Sequence, residues 1–260
     1  MVPPLVDTHC HLLAGLDDGP KTPADAVAMC RRAYDQGVRH SVALAHQNDH
    51  YPDNTPDRLR AGFRRLTADL AAAGLDDFAV YPCAEIMVRP DLADVWDRGE
   101  FLTVSDGGLY ALLEMPHGLC VELAWLVERL VTKGVRPILA HAERSPELLH
   151  DPPAVERLIA AGCLIQVSSL GVTRPASGAD ARAVKDWVRR GVAHVLGSDG
   201  HSPRRRPPDL LDAYDQIRRW AGADMADRIA STNGLAVVRN QPLRLPPVAP
   251  PPRRWLPRLW

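Results

Sequence analysis

The chain has 260 residues, 46% of them hydrophobic, which is enough for one full core, and a single α/β barrel commonly occupies about this length. Its 31 basic and 32 acidic residues give a formal net charge of -1. This balance excludes the basic field that nucleic-acid binding requires, so we expect neither DNA nor RNA as a partner.

The amino terminus and the cysteines predict the compartment. Residues Met1 to Pro4 lack the charged and long apolar regions of a signal peptide. No apolar run approaches the roughly 18 residues that would span a bilayer. The five cysteines are odd in number, widely spaced and mostly within apolar segments, which is typical of core thiols in a reducing compartment. We expect a cytoplasmic protein with no transmembrane segment.

Apolar strands alternate with helices along the whole chain. Thr-Pro pairs at residues 22–23 and 55–56 place a capping side chain before a proline at the first helical position. The predicted strands cover residues 6–11, 40–45, 78–83, 109–113, 136–140, 164–167 and 193–196. The predicted helices cover residues 23–36, 56–73, 91–98, 121–132, 154–161, 180–190, 210–220 and 224–231.

Seven strands separated by helices predict a parallel sheet, and their nearly continuous apolar character predicts burial on both faces. The compact solution is an α/β fold, a closed or nearly closed (β/α)7 TIM-like barrel. Six of the seven strands end in His, Asp or Glu, always at the carboxyl end. Active sites of such barrels are built at that face, because the loops that follow the strands converge there.

His9 and His11 stand one residue apart at the end of the first strand, where side chains at i and i+2 share a face. Such a pair alone fits a capped, solvated strand end equally well, but the two carboxylates at residues 17–18 favour a metal. The nine candidate ligands are His9, His11, Asp18, His46, Glu85, Glu114, His141, Asp199 and His201. Nitrogen and oxygen donors without thiolate suit Mn, Fe or Zn, and nine donors exceed the needs of one ion. We expect two or three ions, which could activate a shared water.

The last twenty residues differ from the rest. Residues 241–260 contain seven prolines, four arginines, two tryptophans and no acids. Proline at this density prevents regular structure. We expect a domain over 1–240 and a disordered tail outside it, with contact of Arg253, Arg254 and Trp255 with a partner or an anionic membrane as the alternative to a floppy tail.

Six motifs in register from about Val6 to Asn240 resemble the polymerase and histidinol phosphatase (PHP) superfamily. The nearest resemblance is to the manganese-dependent bacterial protein-tyrosine phosphatases of capsular and extracellular polysaccharide loci, the CpsB/CapC/YwqE type. The motifs are Asp7-Thr8-His9-Cys10-His11, Leu16-Asp17-Asp18-Gly19-Pro20, Ala84-Glu85-Ile86, Leu113-Glu114-Met115, Ala140-His141-Ala142-Glu143-Arg144 and Ser198-Asp199-Gly200-His201.

The resemblance implies a distorted barrel of the PHP fold and hydrolysis of phosphotyrosine in proteins. The implied cofactor is Mn2+, and the implied substrate is a membrane-associated tyrosine kinase that controls polysaccharide synthesis. One ion would be held by His9, His11, Glu85 and Asp199, a second by Glu85, Glu114 and His141, and a third by Asp18, His46 and His201.

The resemblance also implies two arginines that bind phosphate, Arg144 and Arg206. Arg206 is the last of three consecutive arginines, so Arg204 and Arg205 stay open as alternatives for the second phosphate-binding residue. Guanidinium suits this role, because it forms charge-assisted and bidentate bonds with phosphate oxygens.

Other interpretations stay open at this point. A small-molecule phosphatase such as histidinol phosphatase and a non-catalytic regulator on the same fold are alternatives. An amidohydrolase would need a carboxylated lysine, and none of the three lysines lies at a strand end. Cys83 and Arg89 have the C-x5-R spacing of cysteine phosphatases, but no glycine lies between them to form a phosphate-binding loop.

The remaining histidines receive other roles. His40 and His194 begin strands, on the stabilising face of the barrel, and His150 lies in a surface loop. His50 and His117 follow ligands closely and could line the mouth of the site, with a solvated loop position as the equal alternative. Glu143 is expected to support a ligand or to pair with an arginine.

Overall fold

The computed structural model describes residues 2–116 and 123–250. Within these ranges seven parallel strands follow one another around the sheet in chain order. The strands are β1 Leu5–His11, β2 Val38–Gln47, β3 Ala79–Met87, β4 Tyr110–Glu114, β5 Arg136–Leu139, β6 Leu164–Ser168 and β7 Val195–Gly197. The predicted seven-stranded α/β barrel is confirmed.

The barrel is completed where the segment after β7 meets β1. The N–H of Asp199 donates to the carbonyl of His9 at 2.8 Å, and the N–H of His11 donates to the carbonyl of Gly200 at 2.9 Å. These bonds continue the parallel ladder across the last gap. They also fix the positions of two predicted ligands, His9 and Asp199, next to each other.

Helices cover the outside of the sheet. The longer ones are α1 Pro23–Asp35, α2 Pro56–Ala72, α4 Ala124–Thr132, α6 Pro152–Ala160, α8 Gly178–Arg190 and α9 Leu211–Ala221. The shorter ones are α3 Leu92–Val95, α5 Pro146–Leu149, α7 Ser169–Thr173, α10 Ala223–Asp227 and α11 Asn233–Val238. The first residues of the predicted helix 121–132 lie outside the described residues.

Helix capping follows the predicted chemistry. The hydroxyl of Thr22 accepts the N–H of Asp25 at 3.2 Å, and that of Thr55 accepts the N–H of Arg58 at 3.3 Å. In both helices a proline follows the capping threonine at the first helical position, where no backbone N–H is needed.

Strand β1 contains a β-bulge that orients its two histidines. Asp7 pairs with Ser41 and Cys10 pairs with Ala43, so three steps along β1 oppose two along β2. Before the bulge, Val6 packs among apolar side chains from all seven strands, which fill the barrel interior. After it, Cys10 packs with the core between strands and helices. A regular strand would place residues 6 and 10 on one face, so the bulge is what turns the histidines inward.

Four of the cysteines, Cys10, Cys30, Cys83 and Cys163, are buried free thiols, and Cys120 lies outside the described residues. None of the described helices is both long and apolar enough to cross a membrane.

Residues 241–250 have no helix or strand, as their proline content predicts. They nevertheless contact the barrel. The hydroxyl of Tyr110 donates to the carbonyl of Gln241 at 2.7 Å, and the N–H of Ala249 donates to the carbonyl of Arg190 at 2.9 Å. This differs from the expectation of a tail outside the fold, because leucines at 243 and 245 pack against the barrel core. The predicted contacts of residues 253–255 lie outside the described residues.

His194 is buried at the start of β7, as expected for a structural histidine. Its Nδ1 accepts the N–H of Ile165 at 2.8 Å, and its carbonyl accepts the side-chain N–H of Asn233 at 2.8 Å. Burial, assisted by the charge of Arg136, lowers the pKa of His194 to about 3. The folded protein therefore holds this imidazole neutral.

We expect His194 to make the fold sensitive to acid. The unfolded chain protonates a histidine near pH 6.5, so stability falls as the pH drops from about 6.5 towards 3, by up to about 1.4 kcal/mol per pH unit. His194→Asn keeps a hydrogen-bond acceptor and should flatten this slope when the free energy of unfolding is measured across pH 4 to 7. The control is His50→Asn, which replaces an exposed histidine in a loop. Parallel curves for His194→Asn and the unaltered chain would contradict a neutral buried imidazole.

Candidate metal centre

All nine predicted ligands lie together at the carboxyl end of the barrel. Their donor atoms form four overlapping groups, and within each group the atoms lie within 4.8 Å of one another. The groups are His9, His11 and Glu85; His9, His141 and Asp199; His46, Glu85 and Glu114; and His11, Asp18, His46 and His201. How these donors divide among individual ions stays a prediction.

Glu85 lies at the middle of the cluster. Its Oε2 is 3.2 Å from Nε2 of His11, 3.4 Å from Nε2 of His9 and 3.2 Å from Nδ1 of His46. Its Oε1 is 2.9 Å from Nε2 of His141. One fully buried carboxylate therefore faces four imidazoles, each supplied by a different position on β1, β2 or the end of β5.

The fourth group surrounds Asp18. Oδ1 of this carboxylate lies 3.5 Å from Nε2 of His46 and 3.4 Å from Nε2 of His201. Hydrogen bonds with these two imidazoles hold the pKa of Asp18 well below its usual range. Asp18 is the most exposed member of the cluster, so it marks the side that faces the solvent.

The charges of the cluster explain the pKa values of its imidazoles. Burial lowers the pKa of His11, but the carboxylates of Asp17 and Glu85 outweigh burial and raise it to about 9. Burial also lowers the pKa of His46, but the neighbouring carboxylates of Asp18 and Glu114 outweigh burial and raise it to about 11. The carboxylates thus attract positive charge strongly into this space.

Three buried ligand atoms in the cluster are especially suited to bind a metal cation. Oε2 of Glu85, Oε2 of Glu114 and Nδ1 of His46 accept or donate no hydrogen bond among the described residues. Buried polar atoms are normally paired, because desolvation without a partner is costly. Lone pairs that converge without an intervening N–H or O–H are the arrangement that metal coordination satisfies, so the residues present fit the implied ions.

Asp17 orients two of the imidazoles. Its Oδ2 accepts Nδ1–H of His11 at 2.6 Å and the backbone N–H of His46 at 3.0 Å. Its Oδ1 accepts the N–H of Gly19 at 2.9 Å. This bond leaves Nε2 of His11 facing the cluster. Carboxylates next to metal-binding histidines commonly orient the imidazole ring in this way. The sequence contained a signal for this role, because Asp17 is a second carboxylate directly before the predicted ligand Asp18.

Gln166 supports His9 in the same way and was missed by sequence reasoning. Its Oε1 lies 2.9 Å from Nδ1 of His9, and its Nε2 donates to the hydroxyl of Thr8 at 2.8 Å. The available signal was a polar residue in the middle of β6, an otherwise apolar strand, because a buried amide needs partners.

Two ligand positions have unusual backbone conformations. His141 has φ 32° and Asp199 has φ 54°, both in the left-handed region. Such conformations are uncommon outside glycine, and His and Asp tolerate them better than most residues. They end strands β5 and β7 abruptly and leave both side chains at the cluster.

Arg144 and Arg206 both contact Oδ2 of Asp199 through their guanidinium groups. Their side chains are 36% and 35% exposed, so they border both the buried cluster and the solvent. The carbonyl of Arg206 accepts the N–H of His201 at 2.8 Å, which holds this arginine over the cluster. Of the arginine triple, Arg206 lines the cavity described next, and its two neighbours do not.

A cavity of about 960 Å³ opens above the cluster. Its walls include apolar side chains of the loops after β2, β3 and β4, among them Tyr51, Val88 and Phe101. His50 lines it, as the sequence suggested, and His117 lies outside the described residues. A substrate therefore reaches the cluster, at the bottom of the cavity, through a wide and partly apolar opening.

The other candidates lie elsewhere. Cys83 is fully buried in the barrel interior, and burial raises the pKa of its thiol far above the usual range. Arg89 lies at the cavity mouth and pairs with Asp91 at 2.9 Å. These two residues share no phosphate-binding loop. Glu143 is buried and accepts the N–H of Ser168 at 3.1 Å. Ser168 is neither a predicted ligand nor an arginine, so the expected supporting role of Glu143 stays a prediction.

Comparisons with known proteins agree with this site. A family model described as capsular polysaccharide synthesis, CpsB/CapC, matches residues 5–239. Tyrosine-protein phosphatase CpsB of Streptococcus pneumoniae is 27% identical over 243 residues, covering 91% of this chain and 99% of that protein. Tyrosine-protein phosphatase YwqE of Bacillus subtilis (strain 168) is 28% identical over 254 residues, covering 97% and 98%.

The fold comparison gives the same relatives. A crystal structure from a study of YwqE of Bacillus subtilis and CpsB of Streptococcus pneumoniae, described there as unique metal-dependent tyrosine phosphatases, superposes with a TM-score of 0.87 and 25% identity. The match covers 96% of this chain and 100% of that one. The resemblance predicted from six short motifs is confirmed, and the chain belongs to the CpsB/CapC family of capsular polysaccharide synthesis.

Proposed function

We propose that this protein is a metal-dependent phosphomonoesterase that hydrolyses phosphotyrosine in proteins. The observation that carries the proposal is the convergence of nine imidazole and carboxylate donors below two arginines that face an open cavity. The names of the relatives support the same activity. We further propose a tyrosine kinase of the capsule system as the substrate, Mn2+ as the cofactor in two or three copies, and the cytoplasm as the compartment.

The catalytic unit in this proposal spans residues 1–240, and residues 241–260 are an addition to it, although the part up to residue 250 packs against the barrel. The family match over residues 5–239 supports this division. Ions held by the nine donors would supply Lewis-acid activation of water and of the phosphoryl group. The side chains of this protein would bind and orient the substrate.

Arg144 and Arg206 bind the phosphoryl oxygens in this proposal. Both guanidinium groups contact Oδ2 of Asp199, whose single negative charge does not balance their two positive charges. A phosphate dianion offers them further charge-assisted bonds, which strengthen as charge builds on the transferring group. Because both side chains lie between the cluster and the solvent, they can bind the ester without displacing a ligand.

The depth of the site favours an aryl ester. The imidazoles of His9 and His11 and the carboxylate of Glu85 are 0% exposed, so a phosphoryl group that approaches them has to pass below the protein surface. A phosphotyrosine side chain is long and flat enough to reach this depth past the walls formed by Tyr51 and Phe101. Phenolate also leaves without a strong acid, since the pKa of tyrosine is about 10.

The first test concerns the metal and the substrate together. Chelation should abolish hydrolysis of a phosphotyrosine peptide, and Mn2+ should restore it better than Mg2+, since Mg2+ prefers an oxygen shell and the cluster offers five imidazoles. Histidinol phosphate, assayed after the same Mn2+ addition, should be the poorer substrate. Full activity in a metal-stripped sample would refute the mechanism, and a preference for histidinol phosphate would favour a small-molecule phosphatase.

The second test separates phosphate binding from metal binding. Arg144→Ala and Arg206→Ala should each lose about 2 to 4 kcal/mol of transition-state stabilisation, measured as kcat/KM, because each removes one preorganised charge. Their metal content should stay unchanged, whereas His141→Ala should lose metal together with activity. The exposed neighbour supplies the matched control, Arg205→Ala, which should keep its activity. If all three arginine variants are fully active, phosphate is not the group that this site binds.

The third test concerns the cysteine alternative. Cys83→Ser should keep most of its turnover, because the thiol lies in the barrel interior and donates to the carbonyl of Ala84 at 3.2 Å. Thermal unfolding and metal content establish that the variant is folded and loaded. An inactive variant that passes both checks would favour a cysteine nucleophile.

A further inference from the structure

A second cavity of about 380 Å³ lies beside the first. The two share Arg144, which contributes to the lining of both. The second cavity is built from residues that follow β5 and β6, including parts of α5, α7 and α8. It therefore opens on the same face of the barrel as the metal cluster, next to the residue assigned to phosphate.

Carbon-rich side chains form most of this second cavity. They are Pro146, Leu149, Leu170, Pro175, Ala176 and Val184. Leu170 is 36% exposed and is one of four large apolar side chains in the described ranges that lie open to solvent. A concave surface lined mainly by apolar side chains is the usual form of a binding pocket, and Leu170 is an exposed part of this lining.

The charged groups around this cavity are two acids and two arginines. Glu143 accepts hydrogen bonds from Ser168 through Oε1, and its buried Oε2 has no hydrogen-bond partner among the described residues. Asp180 lies 2.8 Å from the imidazole of His150, and the guanidinium of Arg144 contacts Asp199. Arg174 is exposed and adds a positive charge. The cavity therefore suits an apolar side chain better than a basic one.

We infer that this second cavity binds an apolar side chain of the substrate polypeptide, within three residues of the phosphotyrosine. The inference rests on the proposed function and deepens it. The two cavities meet at Arg144, and three residues of the substrate chain, at about 3.8 Å between consecutive Cα atoms, span the length of a tyrosine side chain. A neighbour of the phosphotyrosine can therefore reach the second cavity while the phosphate is bound in the first. A small phosphate ester cannot occupy both cavities, so the arrangement selects a peptide.

The experiment uses phosphotyrosine peptides in which each of the three positions on either side carries Leu, Ala, Asp or Lys in turn. We expect Leu at one position to raise kcat/KM about tenfold over Ala, at the lower end of the gain from burying a leucine-sized side chain. Leu170→Asp should remove this preference while hydrolysis of p-nitrophenyl phosphate stays within about twofold. Leu170→Ala should reduce the preference in the same direction, which guards against misfolding of the aspartate variant.

The matched control is Val131→Asp, an exposed apolar residue on α4 that lines neither cavity. This variant should keep the leucine preference. No preference for Leu at any position, or an equal loss on peptide and p-nitrophenyl phosphate in both Leu170 variants, would overturn the inference. A preference for Asp that survives Leu170→Asp would overturn it in favour of an acidic-residue site at Arg174. Failure of the native chain to hydrolyse any phosphotyrosine substrate would instead refute the proposed function.

Discussion

The structure depends on the burial of one carboxylate, that of Glu85, beneath the open end of the barrel. Burial alone would raise the pKa of Glu85, but the surrounding imidazoles lower it well below its usual range. A charge at this depth is tolerated only when opposite charges or donors face it. The strands that end in histidine supply those partners, and the same convergence makes the place suited to cations. Stability and metal affinity are in this sense two consequences of one arrangement.

Asp199 connects the buried cluster to the surface. It is bound to β1 through its backbone N–H, and its Oδ1 lies 3.4 Å from Nε2 of His9. Its Oδ2 contacts both Arg144 and Arg206. The residue that completes the barrel thus also fixes the two guanidinium groups above the cluster, so the proposed phosphate binding and the geometry of the cluster depend on the same few contacts.

Much of the fold and the site could be predicted because the relevant physics is local in sequence. Apolar runs bounded by caps and glycines predict strands and helices. A polar residue at the carboxyl end of a parallel barrel strand lies at the face where active sites are built. The β-bulge in β1 could not be predicted, since it arises from pairing with β2, and without it His9 and His11 would face the helical layer. Gln166 escaped notice because its partners, Thr8 and His9, are more than 150 residues away. The short helix α7 follows β6 directly and lacks the periodicity that marks longer helices.

The central claim is that the nine donors form one metal centre organised by Glu85. The most direct measurement is the number of manganese ions per chain in the purified, Mn2+-equilibrated protein and in Glu85→Gln, which keeps the size of the side chain and removes its charge. We expect two or three ions in the native chain and the loss of at least one in the variant, with both proteins folded by circular dichroism. An unchanged metal content in Glu85→Gln, or a native chain that binds none, would contradict the claim.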